Sequence, residues 1–228
     1  MSNDDVSSPP PPDPTVSDAP FSYGAEVKRK ALHLAALVVP ALMVALGKPE
    51  ALYVLVPGAA VAIACDVLRA YSPPFRRWIR YVFGPLMRAE EWTPVGGGVI
   101  LNGATGVLVG AALLTWIVPI RLAVPVFVMF MIADAAAALV GRRLGRHPWP
   151  GRPHTVEGSL AFVATGLAVW ACFPSVSFVV GVLGVLAAAT AEALPLPLND
   201  NIRVPLVAAL VAAGAEHVLL GMSVSWFL

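Results

Sequence analysis

Of the 228 residues in this chain, 58% are hydrophobic and 13% are charged, with a formal net charge of +1. With a mean hydropathy of +0.77, that composition excludes an ordinary soluble domain and points to a polytopic integral membrane protein. The near-neutral total says little by itself, because the charges are segregated along the chain.

Residues 1–22 hold six prolines, four aspartates and several serines. They lack the basic and apolar regions of a signal peptide. The expectation is a disordered cytoplasmic tail followed by one integral-membrane domain over 23–228. Apolar windows that approach the roughly 20 residues of a membrane crossing fall at 31–46, 51–68, 95–116, 117–140, 158–173, 176–194 and 202–220. The fold class read from them is all-α, a transmembrane helical bundle of about seven spans. Thirteen of the fifteen Lys and Arg residues flank one set of span ends, and only Lys48 and Arg121 flank the other. The positive-inside rule then places the N-terminus in the cytoplasm and the C-terminus outside. Cys65 and Cys172 fall within predicted spans, so no disulfide framework is implied.

The first polar group is Glu26, Arg29, Lys30 and His33, spaced i, i+3, i+4 and i+7 on one helix face. Snorkelling cations at an interface would account for it, but His33 lies deeper than an anchor requires, which favours a polar contact inside the bundle. Asp66 and Arg69, one turn apart, either pair with each other or serve a site. Residues 75–87 mix Phe75, Trp78, Ile79, Val82, Phe83 and Leu86 with Arg76, Arg77 and Arg80. That spacing predicts an interfacial amphipathic helix with its basic residues toward headgroups. Arg88, Glu90 and Glu91 follow, as a solvated turn or a functional cluster. The third span opens on Gly96-Gly97-Gly98 and carries Asn102, Gly103, Gly106 and Gly110, small residues that let helices approach closely.

The stretch 134–159 is the most informative. Asp134 ends an otherwise apolar span, and a carboxylate at membrane depth is a functional hypothesis by default. Asp134, Ala137, Ala138, Gly141 and Gly145 share one helical stripe, smooth enough for a phosphate chain or another helix to approach the backbone. Arg142, Arg143 and Arg146 supply cations suited to phosphate. Thr155-Val156-Glu157-Gly158-Ser159 reads as a helix start whose N–H groups suit an anion and whose Glu157 suits a metal; a plain cap is the alternative. Glu192 ends the sixth span, and Asn199-Asp200-Asn201 precedes the seventh. These are oxygen ligands of the kind Mg²⁺ prefers, or simply a turn. Glu216 and His217 are assigned no role. Outside the tail, eight of the ten acidic residues gather at the end of the bundle that carries the basic ones, a grouping that independent helix-end charges do not explain.

Taken in order, these residues resemble the CTP-dependent lipid kinase family of dolichol kinase, phytol kinase and yeast-type diacylglycerol kinase, itself related to the phosphatidate cytidylyltransferases. The resemblance covers about residues 26–206. It runs from E-x-x-R-K-x-x-H at Glu26–His33 through D-x-x-R at Asp66 and R-x-x-E at Arg88 to D-x-x-A-x-x-x-G-x-x-x-G from Asp134. It closes on E-G-S at Glu157 and on E…D-N…P at Glu192, Asp200, Asn201 and Pro205. Relatives usually carry lysine where this chain has His154, which leaves the phosphate contact there with His154 or Arg152.

The resemblance implies an integral membrane enzyme that moves the terminal phosphate of a nucleotide, typically CTP, onto a lipid alcohol with Mg²⁺. It implies catalytic roles for Asp134, Glu157 and Asp200, which with Glu192 would ligate the metal, or one of which, such as Asp134, would instead accept the alcohol's proton. Arg142, Arg143 and Arg29 or Lys30 would meet phosphate. Further substrate or nucleotide contacts would come from His33, Asp66, Arg69, Arg88, Glu91, Gly141, Gly145, Arg152, His154, Gly158, Ser159 and Asn201. The acceptor could be a polyprenol, a phytol-like alcohol or diacylglycerol. A cytidylyltransferase is the runner-up. A transporter or scaffold is a third reading, disfavoured because the carboxylates sit at one interface and the outer half is almost free of charge. The expected partners are the bilayer, a lipid alcohol and a nucleoside triphosphate, with no nucleic acid. The expected setting is the inner membrane of a prokaryote with the site on the cytoplasmic face.

Overall fold

A computed structural model describes residues 23–84, 87, 91–92, 94–151, 154–194, 196 and 198–222. The tail at 1–22 and the nominated residues Arg88, Glu90 and Arg152 lie outside the described residues. Among those described, the regular structure is helical: α1 (Tyr23–Ala35), α2 (Val38–Leu46), α3 (Lys48–Tyr71), α4 (Pro73–Phe83), α5 (Gly103–Ile117), α6 (Ile120–Leu144), α7 (Val156–Trp170), α8 (Phe178–Ala193) and α9 (Asp200–Leu220). Four segments are long and apolar enough to cross a membrane: Glu26–Leu46, which joins α1 and α2, then α3, α6 and α9. The apolar helices α5, α7 and α8 have 15, 15 and 16 residues, each about 23 Å long at the usual rise per residue.

Helix α6 is the axis of the bundle. It packs against α1, α2, α5, α7, α8 and α9, and from Leu122 to Ala137 most of its side chains are buried. Helix α3 sits at the rim, where Tyr53, Val54, Val56 and Val61 are exposed. Apolar surface on this scale is costly in water and natural against lipid. The protein is therefore membrane-embedded, and these faces contact the bilayer.

Three elements depart from the sequence expectation. The first span is two helices that begin at Tyr23 and break at residues 36–37. The third span becomes helical only at Gly103, because Gly96 and Gly98 adopt φ of +77° and +102°, in the left-handed region that interrupts a helix. Asn102 then caps α5 by accepting a bond of 3.0 Å from the Thr105 N–H. The amphipathic helix ends at Phe83 and its basic face is turned elsewhere: Arg76 and Arg80 lie over the Trp92 ring, at 5.4 and 5.2 Å from its centroid. Arg77 stays exposed, with Trp78, Tyr81, Val82 and Phe83.

Ion pairs tie the helix ends into register. Arg142 near the end of α6 reaches Glu26 near the start of α1 at 3.2 Å, and His154 ahead of α7 pairs with Glu192 at the end of α8. At the opposite end of the bundle, Arg121 on α6 meets the buried Glu216 of α9 at 2.6 Å, so Glu216, assigned no role above, closes an ion pair.

Candidate functional site

The first two helix turns of α1 face α6. Lys30, 3% exposed, donates its ammonium proton to Oδ2 of Asp134. His33 Nε2 lies 3.1 Å from the same oxygen, and its ring stands edge-on to Phe130 with centroids 5.9 Å apart. The buried Glu26 accepts from Arg29 and pairs with Arg142. The helical spacing thus brings Lys30 and His33 to Asp134 and Glu26 to Arg142 across one interface, while Arg29 pairs with Glu26 within α1. An isolated charge at that depth costs several kcal/mol or more, which explains why each has a partner.

Asp66 and Arg69 pair at 2.8 Å, and they also fasten the chain between α4 and α5. Arg69 donates to the carbonyl of Glu91 and, at 2.8 Å, to that of Ile100. Asp66 accepts from the backbone N–H of Asn102 at 2.9 Å and its side-chain amide at 2.8 Å. Both residues are buried and spend their hydrogen bonds on this fastening.

Helix α9 enters through a layer of amides. Asn199 accepts from the Asn201 N–H at 3.0 Å, and Asn201 donates to the Gly103 carbonyl at 3.0 Å. A Cβ on Gly106 would stand 2.5 Å from Asn199 Oδ1, and one on Gly110 would stand 2.3 Å from the Asn201 carbonyl. The glycines of α5 are where the start of α9 seats. Asp200 pairs with the buried Arg203.

These elements enclose a cleft of about 700 Å³. Its polar lining is Arg29, Lys30, Glu91, Asp134 and Asp200, with Asn199 and Asn201. Val99, Ile100, Leu101, Leu196, Leu198 and Ile202 form its apolar lining. A volume in this range suits a small-molecule ligand. Six residues nominated from sequence, spread over 172 positions of chain from Arg29 to Asn201, share this one concavity.

Other nominees sit elsewhere. Glu157 accepts from His147 at 2.7 Å. The His147 backbone N–H also lies 3.3 Å from its Oε2. Ser159 accepts from the Trp149 indole at 3.1 Å. The stripe Ala137, Gly141, Gly145 is filled by α7: a Cβ on Gly158 would stand 2.9 Å from the Ala137 carbonyl, and one on Gly145 would stand 2.6 Å from Thr155 Cγ2. Of the two uses open to a smooth stripe, the structure shows helix packing. Arg143 is exposed on the last turn of α6.

Asp134, Glu157, Glu192 and Asp200 therefore do not converge. Each is matched with its own cation or imidazole, and among the described residues no three His, Cys, Asp or Glu side chains come together. Sequence reasoning also passed over Trp92, whose indole lies under three guanidiniums. The available signal was its place directly after Glu91, downstream of arginines spaced i and i+4.

No family model matches the chain, and no solved structure matches it. A protein of Rickettsia prowazekii (strain Madrid E), itself described as uncharacterized, is 24% identical over 188 residues, 79% of this chain and 90% of that protein.

Proposed function

We propose that this chain is an integral membrane phosphotransferase that moves the terminal phosphate of a nucleotide, CTP by its family resemblance, onto the hydroxyl of a lipid alcohol. The observation that carries the reading is the cleft. Two cations, three carboxylates and two amides line it together with a set of apolar side chains. That is the chemistry for holding a polyphosphate beside a hydrocarbon chain. Val99 and Ile100 are 40% exposed and Leu196 and Leu198 about half exposed, so the apolar lining is open to a lipid chain.

In this reading Arg29 and Lys30 hold the phosphates, since phosphoryl transfer depends on positioning and charge neutralisation. The lipid hydroxyl oxygen attacks the γ-phosphorus as the bond to the β-bridging oxygen breaks and the nucleoside diphosphate departs. The hydroxyl proton passes to Asp134. Lys30 and His33 both address Oδ2 of that carboxylate, leaving Oδ1 for the incoming proton. A divalent cation would enter as part of the Mg–nucleotide substrate, on its phosphate oxygens.

The test is direct. Purified protein in lipid, given CTP labelled at the γ-phosphate, is expected to label a polyprenol, a phytol-like alcohol or diacylglycerol. Label transferred only from the α-phosphate would replace the kinase with a cytidylyltransferase. No transfer from any nucleotide would remove both.

The same reading assigns seven crossings (α1–α2, α3, α5, α6, α7, α8, α9) in the inner membrane of a prokaryote, with the cleft and the N-terminus on the cytoplasmic side. Its support is the thirteen-to-two division of basic residues. Single cysteines at Arg77 and Arg146, with Cys65 and Cys172 replaced, are expected to react with an impermeant reagent only after the cytoplasmic face is opened. Reaction of either in intact cells would reverse the orientation.

A further inference from the structure

One wall of the cleft is not a helix, and what holds it is visible. Glu91 and residues 99–101 line the cleft, within the segment that runs from the end of α4 to the start of α5. Irregular backbone at the edge of a bilayer has to be satisfied by protein, and here α3 supplies the partners. The Gly96 N–H donates to the Ala70 carbonyl at 3.0 Å, and Arg69 bridges the carbonyls of Glu91 and Ile100.

At the cleft end of this strap sits Trp92. The guanidiniums of Arg69, Arg76 and Arg80 lie 5.5, 5.4 and 5.2 Å from its ring centroid, within the range of cation–π attraction. One arginine comes from α3 and two from α4, so the indole is the point at which both helices grip the wall. Its neighbour Glu91 places Oε1 4.0 Å from where a Cβ on Gly103 would stand, and the Asn201 amide nitrogen is 3.6 Å from the same point.

We propose that Trp92 is a positioning residue for the cleft: gripped by the arginines of α3 and α4, it sets the wall at 91–92 and 94–101 and with it the Glu91 carboxylate. The functional half of this inference rests on the phosphotransferase reading; the grip itself does not.

The experiment compares Trp92→Leu, which removes the π face, with Trp92→Phe, which keeps one, in the full chain in lipid. Backbone hydrogen exchange over 94–102 is expected to quicken about tenfold in Trp92→Leu and to stay near wild type in Trp92→Phe, as loss of a cation–π grip would release a local unit. Exchange in α6 and α7 is expected to stay unchanged in both. With γ-labelled CTP, Trp92→Leu is expected to raise KM for nucleotide more than it lowers kcat, and Trp92→Phe to restore it. Arg80→Gln, a change on half-exposed α4, is expected to shift exchange in the same direction, which keeps the test open if Trp92→Leu fails to fold. Wild-type exchange in Trp92→Leu, or equal loosening in Trp92→Phe, would overturn the grip. Loosened exchange with wild-type kinetics would overturn the positioning role. A wild-type protein that transfers no phosphate would overturn the phosphotransferase reading instead, and the exchange comparison, which needs no turnover, would still decide the grip.

Discussion

Asp134→Asn is expected to abolish phosphoryl transfer and to destabilise the protein at the same time. The carboxylate is the partner of Lys30, which is 3% exposed, and stranding a buried cation costs about 3–5 kcal/mol. A lower melting temperature alone would therefore not separate a site residue from an ion-pair partner. The double variant Lys30→Met, Asp134→Leu separates them. Replacing both members of a buried pair with apolar groups of similar size is often neutral or stabilising, so its melting temperature is expected to return to that of the wild type. Its turnover is expected to stay at least about a hundredfold below that of Lys30→Met alone, which controls for the lost phosphate contact; that is the smaller end of what a positioned proton acceptor contributes. A double variant that regained stability and transferred phosphate at the wild-type rate would show that Asp134 serves the fold alone.

The reasons why some of this was legible in the sequence and some was not are physical. In a chain that is 58% hydrophobic, every charge at a helix end stands out, because each has a desolvation cost that something must offset. Arg29, Lys30, Glu91, Asp134, Asp200 and Asn201 could thus be nominated, and they line one cleft. What spacing could not supply was the pairing. Glu157 and Glu192 carry the same charge as Asp134, but their imidazole partners, His147 and His154, come from a loop whose path is set by its hairpin-like bonds, such as Trp149 N–H to the His154 carbonyl at 2.9 Å. Helical periodicity likewise read 95–102 as membrane span, since Val95, Val99, Ile100 and Leu101 are apolar. The left-handed glycines and the cap at Asn102 override that hydropathy. The stripe ending in Gly141 and Gly145 was recognisable as a place of close approach, but only the position of Thr155 and Gly158 decides that a helix approaches it.

The glycines of α5 allow the close approach to be tested in the same terms. Gly110→Ala would place a methyl 2.3 Å from the Asn201 carbonyl oxygen, well inside van der Waals contact, and the obstacle is backbone on a packed helix rather than the tip of a flexible side chain. Relief requires α5 and α9 to separate. Overpacking of this kind costs about 1–3 kcal/mol, occasionally more. Gly58→Ala on α3 is the internal control, since nothing lies within 4 Å of its added Cβ and alanine gains about 0.5–1 kcal/mol over glycine in a helix interior. Thermal unfolding of the two variants in the same detergent is expected to move in opposite directions. Gly110→Ala should lose more turnover than its folded fraction accounts for, because the separation carries Asp200 and Asn201 out of the cleft. A Gly110→Ala protein that melts at or above the wild-type temperature would mean that α5 and α9 do not meet through this glycine, and the α9 wall of the cleft would have to be placed elsewhere.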